Sequence, residues 1–342
     1  MARIKPSLET VKYLLENLDK FGISRISDLT YLDSSFKLFV YSAIRPSAKS
    51  LTSSMGKGIT IEDAKCSALM ESVETFYAEE VLPDVSNTSL KNIISSNNYF
   101  IRPDQISSLV SISEEFPIDW CWGTLLNLQK EVLIPHCFLS LDSNNVMNRL
   151  VGQNSNGLAS GNSFEEALIY SFWELNERIS VKNNKKSEVL VDKKFSFCID
   201  DNIECIFYLY ESPFCIPVVG CQIRNKSPLD IGKIFAGYAS HSNIYFAMER
   251  ALFEAIQSKV GVISGVRDDI TDELYVRASK KTKLKESPRI ERMRLNYALY
   301  EISVSEEYKN IKNILSQYKK DLAYYCYTQS EITVLKSFLV DI

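Results

Sequence analysis

The sequence predicts an α+β fold, from three observations. Short apolar, strand-like runs alternate with longer helical runs, which is the pattern of helices stacked on mixed or antiparallel sheets. A glycine-bearing loop leading into a helix occurs three times. The interval between copies is far longer than a solenoid repeat, so the copies are expected to pack as similar layers around one site. No stretch has the composition of a separate or low-complexity domain. Residues 1–342 therefore read as one unit, with an N-terminal helix and strand region over 1–50, a motif-bearing core over 51–270 and a C-terminal region over 271–342.

In chain order, Ser7 is placed to cap a helix whose Leu8, Val11, Leu14, Leu15 and Leu18 follow a helical period, with Gly22 as its stop. Residues 36–43 read as a strand ending before Pro46. The first loop, Ser53-Ser54-Met55-Gly56-Lys57-Gly58, precedes a helix over about 62–77. The polar 84–99 stretch reads as a surface connection. Residues 119–124 and 132–138 form an expected hairpin, with Pro135 marking an edge strand. The second loop and helix occupy about 157–181, and 183–187 is a turn. Strands are expected at 206–210 and 216–221, the third loop and helix at 237–260, a helix at 306–322, and strands near Tyr324 and Val334.

Net charge is −4 and the pI about 5.5, which leaves no basic footprint for nucleic acid. The basic run at 280–285 is a solvated loop in this reading. None of the eight cysteines forms a C-x-x-C pair and the chain has two histidines, so a zinc site is poorly supported. Cysteines in apolar runs, such as Cys121 between two tryptophans, read as reduced core residues of a cytoplasmic protein. The first residues lack the apolar segment of a signal peptide, and no apolar stretch is long enough to span a bilayer.

The three copies keep register. Glu71 and Glu174 are 103 apart, as are Gly58 and Gly161, Glu62 and Glu165, and Ala64 and Ala167. Glu174 and Glu254 are 80 apart, as are Gly157 and Gly237, Ser160 and Ser240, and Glu177 and Gln257. Residues three and four apart share a helix face, so Ser67, Glu71 and Glu74 line one stripe and Ser171, Glu174 and Glu177 another, with Arg178 beside it. The third helix carries Arg250, Glu254 and Gln257. Five carboxylates on matched helices repel one another unless a cation intervenes, and Mg²⁺ takes one or two carboxylates plus phosphate oxygens and waters. Gly56-Lys57-Gly58 would let backbone approach an anion, with Lys57 adding charge. Thr60 with Asp63, and Ser163 with Glu166, fit capping boxes, and capping alone explains them. The loop is not a Walker A sequence. After the third helix, Arg267 could clamp a phosphate, although a turn with a surface salt bridge explains it equally well.

Taken together, Gly56-Lys57-Gly58, Ser67-x-x-x-Glu71-x-x-Glu74, Gly157-x-Ala159-x-Gly161, Glu174-x-x-Glu177-Arg178, Glu254-x-x-Gln257-Ser258 and Gly265-x-Arg267-Asp268-Asp269 resemble the YcaO superfamily, in the family's order. Residues 22–30 through Arg45-Pro46 resemble the subgroup encoded beside TfuA-like partners. The resemblance implies a YcaO-like fold, with the loop–helix units packed around one nucleotide site, and an ATP- and Mg²⁺-dependent enzyme acting on peptide backbone amides. It implies that Glu71, Glu74, Glu174, Glu177 and Glu254 hold Mg²⁺ or hydrogen-bond the nucleotide. Ser67, Gln257 and Ser258 would contact the nucleotide, and Lys57, Arg178 and Arg267 would face the phosphates. A peptide or protein substrate and a TfuA-like partner are implied, and a homodimer is an admissible assembly.

Two departures bear on the product. Azoline-forming members often end in a proline-rich tail, whereas this sequence closes Val334-Leu335-Lys336-Ser337-Phe338-Leu339-Val340-Asp341-Ile342, which favours thioamide formation. Thr75 stands where an arginine would echo Arg178. The expectation is therefore thioamide synthesis with a sulfide donor, with an azoline-forming cyclodehydratase as the alternative. A reading of a different class is a non-catalytic nucleotide- or peptide-binding accessory subunit. The third helix, with Gln257 in place of a glutamate, is expected to meet a neutral part of the nucleotide as well as metal.

Overall fold

The computed structural model describes residues 3–33, 36–107, 110–190, 203–225, 234–266, 292–294 and 302–341. Three sheets carry the strands. A three-stranded antiparallel sheet joins β1 (Arg25–Asp28), β2 (Phe39–Ile44) and β3 (Ser53–Gly58) in that order. A seven-stranded sheet contains β4 (Val85–Ser89), β5 (Tyr99–Phe100), β6 (Pro117–Leu125), β7 (Glu131–Pro135), β8 (Leu158–Gly161), β14 (Lys320–Gln329) and β15 (Thr333–Asp341), in the order β5-β7-β6-β14-β15-β8 with β4 on β6. A five-stranded sheet runs β12-β11-β10-β9-β13, from Ile234–Ser240, Val218–Asn225, Ile203–Tyr210, Lys186–Leu190 and Arg292–Arg294. Pairing is antiparallel except for β5 on β7 and β13 on β9, so the architecture is α+β with mixed sheets.

The three expected loops are not loops. Each is an edge strand, β3, β8 or β12, of a different sheet, and each leads into a long helix. These helices are α2 (Ile61–Glu79), α3 (Phe164–Asn183) and α4 (Ile244–Ser264). Each packs on its own strand and on the strand of the next unit: α2 on β8, α3 on β12, α4 on β3. The arrangement closes cyclically, and each step carries a hydrogen bond. Ser160 Oγ of β8 donates to Glu74 at 2.6 Å. Asn176 Nδ2 of α3 donates to Ser240 Oγ of β12 at 2.9 Å. Gln257 Nε2 of α4 donates to the Met55 carbonyl of β3 at 2.9 Å.

The strand glycines let each helix sit directly on backbone. A Cβ on Gly56 would lie 2.1 Å from the Ala68 nitrogen and 2.2 Å from the Ala64 carbonyl oxygen. A Cβ on Gly237 would lie 2.3 Å from the Ala255 nitrogen. The bare faces of Gly56 and Gly58 are covered by α2, which corrects their expected use against an anion. Separate apolar cores lie under the three helices: Leu69 and Val73 in one, Phe172 and Trp173 in the second, Leu252 and Ile256 in the third.

Other boundaries differ for local reasons. The N-terminal helix α1 (Ser7–Leu15) begins after Pro6, and Ser7 Oγ donates to Asp63 instead of capping. The 84–99 stretch contains β4 and a helix over Leu90–Ser95, capped by Ser89. β7 lies between β5 and β6, and its Pro135 falls beyond the short pairing with β5. The last helix, α5 (Val304–Gln317), stops before Lys319, which takes φ +53°, and Leu322 belongs to β14. Thr60 and Ser163 cap α2 and α3 as expected. The seven described cysteines are unpaired. No described helix is long and apolar enough to cross a membrane.

Candidate functional site

The cyclic packing turns the polar stripes of α2 and α3 toward a shared cavity of about 790 Å³. Among the expected site residues, Ser67, Glu71, Glu74, Glu174 and Arg178 line it. Helical spacing of three and four residues accounts for this, since α2 presents 67, 71 and 74, and α3 presents 174 and 178, on one face each. Ser171 does not join its stripe. It is fully buried, donates to the Gly157 carbonyl at 2.6 Å and is hydrogen-bonded to Ser337. The wall position falls instead to Tyr170, with the Arg250 guanidinium 4.7 Å from its ring centre.

Burial dominates the electrostatics. It pushes the Glu74 carboxyl up to about 8, helped by the charges of Glu71 and Glu174 and opposed by the hydrogen bond from Ser160. Glu177 is likewise pushed up to about 8 by burial and then by Glu254, with Arg178 and Lys57 acting the other way. Glu174 is raised by burial, against the pull of Arg178 and Lys336 and a hydrogen bond from the Gly157 amide. Arg178 bridges its own helix, 3.3 Å from Glu174 and 4.0 Å from Glu177. Burial disfavours its charge, but Glu177, Glu174 and Glu254 outweigh that. Burial thus raises three neighbouring carboxyls even though Arg178 lies against two of them.

Other expected residues sit around this centre. Lys57 lies on β3 between Gly56 and Gly58, so strand alternation turns it away from α2. Glu254, Gln257 and Ser258 share α4 and are half-buried. The Gln257 amide is committed to Met55, which a glutamate could not manage because a carboxylate has no proton to donate. Arg267 lies outside the described residues, but the preceding Val266 is held to β3 by a 2.5 Å hydrogen bond from Ser53 Oγ to its carbonyl.

Several site residues were not legible in advance. Ser50 and Leu51 line the cavity because Glu79 organises their loop. The Glu79 carboxylate is buried against Arg45 at 2.6 Å and accepts the Ser50 amide at 3.0 Å. Residues Gln153, Asn154, Ser155 and Asn156 form a polar strap along the cavity. Lys336, a lone lysine in an apolar strand, lies beneath that strap, 1% exposed. Burial lowers its ammonium to about 8, against the charge of Glu174.

Among the described residues, no group of three or more His, Cys, Asp or Glu is arranged to hold a metal ion by itself. Paired carboxylates without a closed cage suit Mg²⁺ that arrives with oxygen ligands of its own, as it does on a nucleotide phosphate. The donor set present therefore fits that cofactor pair.

Comparison with known proteins agrees with this geometry. The profile of the family described as YcaO cyclodehydratase, ATP- and Mg²⁺-binding, matches residues 55–338. An uncharacterized protein in the tfuA 3′ region of Rhizobium leguminosarum bv. trifolii is 26% identical over 307 residues, covering 81% of this chain and 71% of that protein. An uncharacterized protein of Mycobacterium tuberculosis is 26% identical over 294 residues, covering 80% of this chain and 65% of that protein. Among solved structures, YcaO from Methanopyrus kandleri bound with AMPPCP and Mg²⁺ superposes with a TM-score of 0.75 at 18% identity, covering 98% of this chain and 91% of that one. A heterocyclase in complex with substrate and cofactor gives the same score and identity, covering 98% of this chain and 52% of its own. The Escherichia coli microcin synthetase McbBCD complex contains a chain that matches with a TM-score of 0.64 at 14% identity, covering 92% of this chain and 87% of that one. The chain thus belongs to the YcaO family, whose cofactors are ATP and Mg²⁺.

Proposed function

We propose that the protein modifies peptide backbone amides in an ATP- and Mg²⁺-dependent reaction, forming a thioamide from a sulfide donor with the help of a TfuA-like partner. One observation carries the ATP-dependent part. Glu71, Glu74 and Glu174 meet from two facing helices at an open cavity, and burial raises the carboxyls of Glu74, Glu174 and Glu177. When bound, Mg-ATP supplies the phosphoryl group that makes an amide oxygen a leaving group. Glu71, Glu74, Glu174, Glu177 and Glu254 would hold the metal or the nucleotide hydroxyls, and Ser67, Gln257 and Ser258 would contact the nucleotide. Lys57, Arg178 and Arg267 would face the phosphates, where positioning and charge neutralisation do most of the catalysis. The chain is read as one catalytic unit throughout.

The thioamide product is supported by the relative in a tfuA 3′ region. Azoline formation is the second reading, supported by the heterocyclase likeness. Purified protein, partner, sulfide and candidate peptides, followed by mass spectrometry, separate the two. Oxygen-to-sulfur exchange adds about 16 Da, whereas ring closure through amide activation removes about 18 Da. Glu71→Gln is expected to abolish ATP turnover while the protein stays folded, and unchanged turnover would overturn the assignment. Binding of Mg-ATP without turnover, with partner and substrate supplied, would mark an accessory subunit instead.

A further inference from the structure

Lys336 makes contacts that its strand position does not require. It sits on β15 opposite Leu158 of β8, with Val334, Leu335 and Phe338 as strand neighbours. An apolar side chain would pack there without the cost of burying an amine. The lysine is matched instead to two backbone oxygens from distant segments. Its Nζ donates to the Phe138 carbonyl at 2.7 Å and to the Asn154 carbonyl at 2.6 Å. Phe138 belongs to the short helix His136–Leu139 that follows β7, and Asn154 belongs to the strap.

The strap's other end is fixed by different groups. The Gly157 carbonyl accepts from Ser171 Oγ at 2.6 Å and from the Ser337 amide at 3.0 Å. Gly157 has φ +76°, and a Cβ there would lie 2.4 Å from the Ser337 carbonyl oxygen, so the backbone is held tightly at that point. Lys336 and Ser337 therefore hold the chain at Asn154 and at Gly157, on either side of Ser155 and Asn156, which line the cavity.

We propose that Lys336 is a positioning residue for the nucleotide site: it ties the strap to β15 at Asn154 and so keeps the strap's polar side chains along the cavity. The inference rests on the nucleotide-binding reading above. Groups that orient a metal- or ligand-binding side chain typically cost 10- to 100-fold in affinity when removed.

The test compares wild type with Lys336→Met, which keeps length and volume but donates nothing, and Lys336→Gln, which keeps a donor without the charge. Hydrogen exchange on the ligand-free proteins should rise about tenfold or more over residues 153–158 in Lys336→Met, while α2 and the β6–β7 hairpin keep wild-type protection. Calorimetric titration with a Mg²⁺-loaded, non-hydrolysable ATP analogue should show Kd raised about tenfold or more in Lys336→Met, with Lys336→Gln between the two. Wild-type exchange in the strap, an unchanged Kd, or loss of protection spread evenly over the chain would each overturn the proposal. If neither variant folds, the wild type decides: added analogue should slow exchange over 153–158, and no change there would refute the role. Failure of wild type to bind the analogue would refute the nucleotide reading instead, and the ligand-free exchange result would still decide whether Lys336 holds the strap.

Discussion

Binding of Mg²⁺-nucleotide should expel protons from this protein, with Glu74 and Glu177 as the main sources. Burial places Glu74 and Glu177 near 8 in the free protein. At pH 7 each carboxyl is then about nine-tenths protonated, and at pH 9 about one-tenth. Metal and its ligands engage the ionised form, so binding must displace what protons remain. The expected release is between about one and two protons per nucleotide at pH 7 and clearly less at pH 9. Glu74→Gln removes one source and should lower the pH 7 value by up to about one proton. Titration calorimetry with a Mg²⁺-saturated, non-hydrolysable ATP analogue, repeated in buffers of different ionisation enthalpy, reads the number directly. Heats independent of buffer at pH 7 would refute the reasoning. So would a Glu74→Gln variant that releases as many protons as wild type.

Three further outcomes follow from the same geometry. Because the folded state raises Glu74 and Glu177 above the ordinary carboxylate value of 4.5, it binds protons more tightly than the unfolded chain; that stability is complete below about 4.5 and lost as pH rises through about 8. The ligand-free Tm should therefore fall by roughly 5 °C or more between pH 5 and pH 9, and less so in Glu74→Gln, as scanning calorimetry would show. Gln257→Glu leaves the Met55 carbonyl without its donor and should cost about 1–3 kcal/mol in urea unfolding, with an unchanged midpoint counting against the inter-unit bond. Gly56→Ala drives a methyl into the backbone of α2 and should cost about 3 kcal/mol or prevent folding, read as urea midpoint or soluble yield.

The helices of the site were legible because their signal is periodic. Glutamates three residues apart, repeated at matching intervals, fix a face whatever the helix packs against: Glu174 and Glu177 meet at Arg178, and Glu71 and Glu74 face the same cavity as Glu174. The strands before them were hidden. Ser53–Gly58 lacks the apolar alternation of a strand because a helix lies directly on its backbone, so small residues replace branched ones. Ser171 was misplaced by one residue: the 103-residue register that matches Glu71 to Glu174 pairs Ser67 with Tyr170, and the structure puts Tyr170 on the cavity wall. The helical pattern runs on to Leu322 in the sequence because the turn at Tyr318 and Lys319 carries neither glycine nor proline. Lys336 left no readable trace, since one lysine in an apolar run looks the same whether it reaches solvent or two buried carbonyls.

The closed order of contacts, α2 on β8, α3 on β12 and α4 on β3, has a mechanical consequence. Each helix is wedged between two sheet edges, and each edge serves two helices. A ligand that draws Glu74 inward pulls on Ser160, and through β8 on α3, whose Asn176 grips Ser240 and hence α4. Gln257 then returns the displacement to the strand from which α2 departs. The three units thus share their contacts, and a substitution at any one of these hydrogen bonds bears on the packing of the neighbouring unit as well as on its own.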